Sequence, residues 1–197
     1  MNGTREKTLW LVKVAMLSAV AAVLMFIEIP LPFMPPFLKM DFSDIPALLA
    51  GFSLGPLAGI AVLLIKNLIH ALASWSFLVG ELANFTIGLC FVLPAALIYK
   101  SRKNKKSAII GMSVGGLTMT IAAGVLNAFV LIPLYASVLE FPVEAIIGMS
   151  RELNPLIKDL ATLIFIGILP FNLIKAFLNT LVTALIYKPL SPLLHRK

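Results

Sequence analysis

Charge is what this 197-residue chain has least of: 13% of its residues are Asp, Glu, Lys or Arg, about half the share of a soluble globular domain. No block is polar for long enough to fold as a separate aqueous unit. Cysteine is nearly missing too. Cys90 is the single one and lies in an apolar run, which excludes an intrachain disulfide and a thiolate cluster for a metal. No His, Cys and carboxylate set has metal-ligand spacing, no glycine-rich loop has the phosphate-cradling pattern, and Ser150 has no His or Asp nearby to activate it. The expectation is a chain with no catalytic residue, no metal and no cofactor, unable to hydrolyse ATP by itself.

What is present is apolar. Hydrophobic residues make up 60% of the chain, and several runs reach the roughly 20 residues that a bilayer-spanning helix needs. The chain reads as an all-α integral membrane protein, with a single membrane domain over residues 1–197. Its first run follows Arg5, Lys7 and Lys13 in the manner of a signal peptide, but it continues from Leu9 to Ile29 without a small-residue cleavage site and is read as a retained helix. Pro30, Pro32, Pro35 and Pro36 end that helix. A rigid apolar loop then leads into Lys39-Met40-Asp41-Phe42-Ser43-Asp44, where Ser43 or Asp44 suits an N-cap.

Basic residues decide how many spans follow. If residues 45–70 form two helices divided at Gly55-Pro56, the N-terminus, the loop from Lys100 to Lys106 and the tail with Lys188, Arg196 and Lys197 share one side. That side then holds eleven of the sixteen basic residues, as the positive-inside rule asks. The expectation is a six-transmembrane-helix bundle over about 9–29, 45–54, 57–73, 78–99, 108–135 and 160–187, with both termini cytoplasmic. The same distribution explains the net charge of +7 as topology signals and not as a nucleic-acid surface. The second helix, about 15 Å long, is too short to cross alone and should lean on neighbours or line a cavity. Trp75 in an outer turn over 74–76 is expected to anchor at the interface, residues 136–158 have room for a short surface helix, and Pro189 and Pro192 are expected to stop the sixth span.

On this topology the intramembrane polar groups gather in the outer half: Lys66, Asn67 and His70 on the third helix, Glu81 and Asn84 on the fourth, Asn127 on the fifth, Asn172 and Lys175 on the sixth. The inner halves read as nearly free of them. Such groups bond one another across helices or face a ligand. An amide offers both donor and acceptor, so Asn127 and Asn172 suit a heterocyclic edge with alternating carbonyl and N–H groups, and Lys175 adds a donor. Phe171, Phe85, Phe129, Phe37 and Phe42 could enclose a flat apolar body. His70, alone, reads as structural. On the first helix Ala15-x-x-x-Ala19, with Ser18, Ala21 and Ala22 close by, makes a flat face for close helix approach, either inside the bundle or against a partner.

These residues resemble the substrate-binding S components of energy-coupling factor (ECF) vitamin transporters, and within them the riboflavin-specific type. The likeness covers nearly the whole chain. It rests on Ala15-x-x-x-Ala19, the proline-rich loop running into Asp41-Phe42-Ser43-Asp44-Ile45-Pro46-Ala47-Leu48, Lys66-Asn67, Glu81-Leu82-Ala83-Asn84, Asn127 six residues before Pro133, and Pro170-Phe171-Asn172-Leu173-Ile174-Lys175. The resemblance implies six helices in a prokaryotic cell membrane, with riboflavin held in the outer half under the first loop. It implies that Asn127, Asn172 and Lys175 bond the polar edge of the isoalloxazine ring, with Glu81 and Asn84 in the same layer and Leu38, Lys39 and Met40 approaching from the loop. It further implies partners: a transmembrane coupling protein (T component) docked on Ala15 and Ala19, and two cytoplasmic ATPase subunits, with ATP-driven toppling carrying the site inward.

Two other readings are available to the residues. One is a self-sufficient ion-coupled carrier with Glu81 and Lys66 or Lys175 as a charge relay. The other is a membrane enzyme acting on a lipid or isoprenoid, with Asp41 and Asp44 on a metal, although two aspartates make a poor site.

Overall fold

A computed structural model of the chain describes residues 3–35, 37–74, 78–138, 140 and 142–194, with side chains as far as Tyr187. Trp75 and Ser76 of the expected outer turn, and Arg196 and Lys197 of the tail, lie outside the described residues. Helix α1, Gly3–Phe26, is apolar nearly all round and buries only the stripe Val14, Ser18, Ala21, Ala22 and Met25, as expected of a helix whose other faces meet lipid. It stops three residues before the expected end. Ile29 and Pro30 (β1) pair antiparallel with Met40 and Lys39 (β2), folding the proline-rich loop back as a small hairpin, reinforced by the ion pair of Lys39 with Glu28.

Next comes the short helix α2, Asp44–Leu54, whose residues from Asp44 through Phe52 are all buried. It packs on α1, α3 (Pro56–Ala71), α4 (Val79–Arg102) and α9 (Leu169–Leu194). Eleven residues span only about 16 Å, so α2 is a half-length core element that the longer helices enclose. Gly55, with φ of 101°, makes the reversal between α2 and α3, and Pro56 opens α3 at a position where its missing N–H costs nothing.

Helix α4 ends at Lys103 in the left-handed region, and Asn104 caps the next helix by accepting the Ser107 N–H at 2.8 Å. The following stretch is continuous from Lys105 to Val138: α5 (Lys105–Leu126), a π-helical turn (Asn127–Leu131) and α6 (Ile132–Val138). It packs tightly on α4, because Gly115 and Gly111 bring the backbones together. A methyl group on Gly115 would lie 2.3 Å from the Phe91 carbonyl oxygen, and one on Gly111 would lie 2.7 Å from that of Ala95.

The surface helix anticipated in residues 136–158 is α7, Val143–Leu153. Asp159 then caps the last helical stretch, made of α8 (Leu160–Thr162), a second π-helical turn (Leu163–Ile168) and α9. The backbone stays helical through Pro189 and Pro192 to Leu194, so the expected stop at those prolines does not occur. A proline removes one backbone donor, and a helix can carry that loss.

Four stretches are long and apolar enough to cross a membrane, Gly3–Phe26, Val79–Arg102, Lys105–Val138 and Leu160–Tyr187, with Asp44–Leu54 and Pro56–Ala71 as shorter apolar helices. The chain is an all-helical membrane protein apart from its two-residue strands. Its core is in two parts, one around Leu48, Leu63, Phe91 and Val92, the other near the hairpin around Ile132, Ile157, Leu163 and Ile168.

Candidate ligand-binding site

Two lysines in apolar helices need counter-charges, and the four residues from Asp41 to Asp44, leading from β2 into the first turn of α2, supply them. Lys66 of α3, fully buried, donates to Asp44 Oδ1 at 2.6 Å and to the Ser43 hydroxyl at 2.6 Å. Lys175 of α9 donates to Asp41 Oδ2 at 2.6 Å and lies 4.0 Å from Asp44 Oδ2. The other Asp41 oxygen accepts the Ser43 N–H at 2.9 Å and the Ser43 hydroxyl. Burial pushes the Asp41 carboxyl up, but the Lys175 and Lys66 ammonium groups and these hydrogen bonds outweigh it and hold the group well below the usual carboxylate range. The segment Asp41-Phe42-Ser43-Asp44 is thus a clamp joining the hairpin to α3 and α9.

Above the clamp lies a cavity of about 510 Å³, bounded by the hairpin loop, the end of α1, α3, α4, α5 and α9. Its volume falls in the range of small-molecule sites. Of the expected site residues, Asn127, Asn172, Lys175, Asn84, Glu81, Leu38 and Lys39 all line it. Met40 does not line it; it is buried where β2 enters the core. Of the five phenylalanines expected to enclose a ligand, Phe37 and Phe171 line the cavity, while Phe42 and Phe85 do not. Phe129 is 79% exposed, on the outer face of the π-helical turn. Sequence spacing places that residue on the same apolar helix as Asn127, but the π-helical turn decides which way it points.

Each of two amides is pinned by its own helix. Asn127 Nδ2 donates to the Ala123 carbonyl at 2.8 Å, and Asn172 Nδ2 donates to that of Ile168 at 2.9 Å. With their NH₂ groups held there, the side-chain carbonyl oxygens are the ends left to accept from a ligand N–H or O–H. The Asn84 Oδ1 atom is buried with no protein partner among the described residues. The π-helical turns sit beside these amides: one begins at Asn127, and the other ends at Ile168, whose carbonyl takes the Asn172 amide. Turns of this kind recur where a helix is shaped for function.

His70, read as structural, has partners within the bundle. Its Nδ1 lies 2.7 Å from Glu81 Oε1, and its ring packs at a tilt on Phe26 with centroids 4.9 Å apart. Glu81 thus bonds His70, while Lys66 and Lys175 bond Asp44 and Asp41, which is not the Glu–Lys relay of the ion-coupled reading. Asp41 and Asp44 hold ammonium groups, and a metal there would have to displace them.

Sequence reasoning named Asp41 and Asp44 only as part of a motif and as doubtful metal ligands. The signal for their real role was the pair of lone lysines. It also read the far half of the bundle as nearly free of polar groups, yet Asn179 and Thr183 of α9 are fully buried there. They continue the face of Asn172 and Lys175 at helical spacing. Ala15 and Ala19 are exposed on α1, off its buried stripe, which leaves their small-residue face open in this bundle.

A sequence model of the family described as "ECF transporter, substrate-specific component" matches residues 10–187. The chain is 43% identical to the riboflavin transporter RibU of Staphylococcus aureus over the full length of both, and 39% identical to the riboflavin transporter FmnP of Bacillus subtilis over 92% of each. A solved structure described as "Structure and mechanism of the S component of a bacterial ECF transporter" superposes with a TM-score of 0.77. That comparison has 42% identity and covers 96% of this chain and 99% of that one.

Proposed function

The chain belongs to the substrate-specific components of ECF transporters, and from that membership we propose that it binds riboflavin with high affinity and delivers it to an ATP-driven transporter. The observation that carries the reading is the cavity closed by the hairpin loop, whose walls combine amide oxygens and an ammonium group with Phe37 and Phe171. A flavin has this character: a flat apolar body with one edge of alternating carbonyl and N–H groups. The N–H of that edge donates to an amide carbonyl oxygen among Asn127, Asn172 and Asn84, its carbonyls accept from Lys175 and from the remaining N–H of those amides, Glu81 shares their layer, and Leu38 and Lys39 cover it from the loop.

The same reading arranges the chain as one multi-pass domain in the cell membrane. The four long stretches cross it, the short helices α2 and α3 complete a set of six, and the basic loop and both termini face the cytoplasm, with the cavity on the opposite side. Chemistry is left to partners: a transmembrane coupling protein, with the exposed Ala15 and Ala19 of α1 as its landing face, and two ATPase subunits. The chain itself is a transporter subunit and not an enzyme.

Titration of the detergent-purified chain against riboflavin, followed by quenching of flavin fluorescence, tests the reading. Tight saturable binding is expected, and a folded, monodisperse sample without it refutes the proposal. Proteoliposomes holding this chain alone are expected not to accumulate riboflavin under an imposed ion gradient. Accumulation there would establish a self-sufficient carrier instead.

A further inference from the structure

The charged groups around the cavity are unevenly matched. Glu28, Asp41, Asp44 and Glu81 line it as carboxylates, against Lys39 and Lys175 as ammonium groups. Both lysines are committed, Lys39 to Glu28 and Lys175 to Asp41. Lys66, behind the lining, is committed to Asp44. Among the described residues no ammonium group at the cavity therefore stands ready to balance a ligand's negative charge. Such a site suits an uncharged ligand and opposes an anion.

Asp41 is the residue on which this turns. It is buried, Lys175 holds one of its oxygens, and Ser43 holds the other, so its charge is fixed beside the ammonium group that would otherwise face the cavity alone. We infer that Asp41, a positioning residue acting through Lys175, makes the cavity select uncharged flavin over flavin carrying a phosphate ester. The inference rests on the riboflavin reading. A sphere of the cavity's volume is about 10 Å across, and at an effective dielectric of about 20 a unit charge at that distance changes an affinity on the order of tenfold. A phosphate ester carries one to two such charges at neutral pH, so it feels Lys175 wherever in the cavity it lies.

The test titrates the full chain with riboflavin and with its phosphate ester, in low and high salt, and reads the ratio of the two affinities. Wild-type protein is expected to favour riboflavin. In Asp41→Asn the ratio should move toward the ester by about tenfold or more, with a gain that shrinks as salt is added. Asp41→Glu should keep the wild-type ratio. Lys175→Gln should move it away from the ester, and the double variant Asp41→Asn with Lys175→Gln should return it near its starting value. A loosened fold alone would weaken both ligands and leave the ratio unmoved. An unmoved ratio in Asp41→Asn overturns the inference while riboflavin binding by wild type stands. If Asp41→Asn does not fold, Lys175→Gln decides, and a ratio that is unchanged or moves toward the ester overturns it. Wild-type protein that binds neither flavin overturns the riboflavin reading and this inference together.

Discussion

A lysine with no exposed surface, as Lys66 is, survives in the core only because Asp44 and Ser43 replace the water it has lost. Removing its charge strands Asp44. Lys66→Met should therefore cost about 3 to 5 kcal/mol, while pairing it with Asp44→Leu should recover much of that loss, since a well-packed apolar pair can equal a buried ion pair. Thermal unfolding of the two variants in detergent checks this. Asp41 adds a pH dependence whose sign follows from its lowered pKa: its contribution is complete above its ordinary value of 3.8 and is lost as pH falls below that through the folded value. Unfolding temperatures should be level from neutral pH down to that region and drop beneath it. At the site itself, Asn172→Ala should weaken riboflavin binding by about 1 to 3 kcal/mol, the usual effect of an unmet buried partner, read by the same fluorescence titration. The amides were legible in the sequence because a polar group in an apolar run is conspicuous. Their ionic neighbours were not, because Asp41 and Lys175 are 134 positions apart and no local pattern links residues so distant.

Among the elements, the π-helical turn at Asn127–Leu131 absorbs one residue more than an α-helical turn does. Deleting Val130 would restore regular α-helix with α6 near its present phase and remove the local widening that begins at Asn127, shifting that side chain on the cavity wall it now lines. The expected outcome is weaker riboflavin binding with helix content, measured by circular dichroism, nearly unchanged. The close approach of α5 to α4 sets a different limit. Gly115→Leu has no room beside the Phe91 carbonyl and should separate the two helices, lowering thermal stability by about 1 to 3 kcal/mol or more. Helix existence was readable from apolar run length, and the short α2 from the Gly55-Pro56 break. The ends were less readable. The hairpin follows α1 where it ends at Phe26, and π-helical turns interrupt the last two long stretches, features that hydropathy does not register.

For the whole molecule, the exposed face of α1 separates capture from transport. Enlarging it with Ala15→Leu and Ala19→Leu should leave riboflavin binding by the isolated chain intact. Uptake by membranes that also contain the coupling protein and ATPases should fall sharply if this face is the landing surface, because small residues are what let helices approach closely. A variant that loses both would show the face to be part of the bundle's own packing. That the chain is an all-helical membrane protein could be read from apolar run lengths. The interior arrangement around α2 could not, since its isolated sequence resembles any short apolar helix and only its neighbours show it to be central.

That central position bears on biogenesis. A half-length helix headed by an aspartate, followed 22 residues later by the lysine it neutralises, is poorly suited to enter lipid by itself, where each such charge costs about 2.5 to 3.5 kcal/mol near the middle of a span. Entering together as a hairpin with α3, turned at Gly55, the two segments carry opposite charges that cancel. The nascent chain then has reason to hold α2 at the translocon until α3 emerges, and the order of synthesis becomes part of how the pocket's floor is assembled.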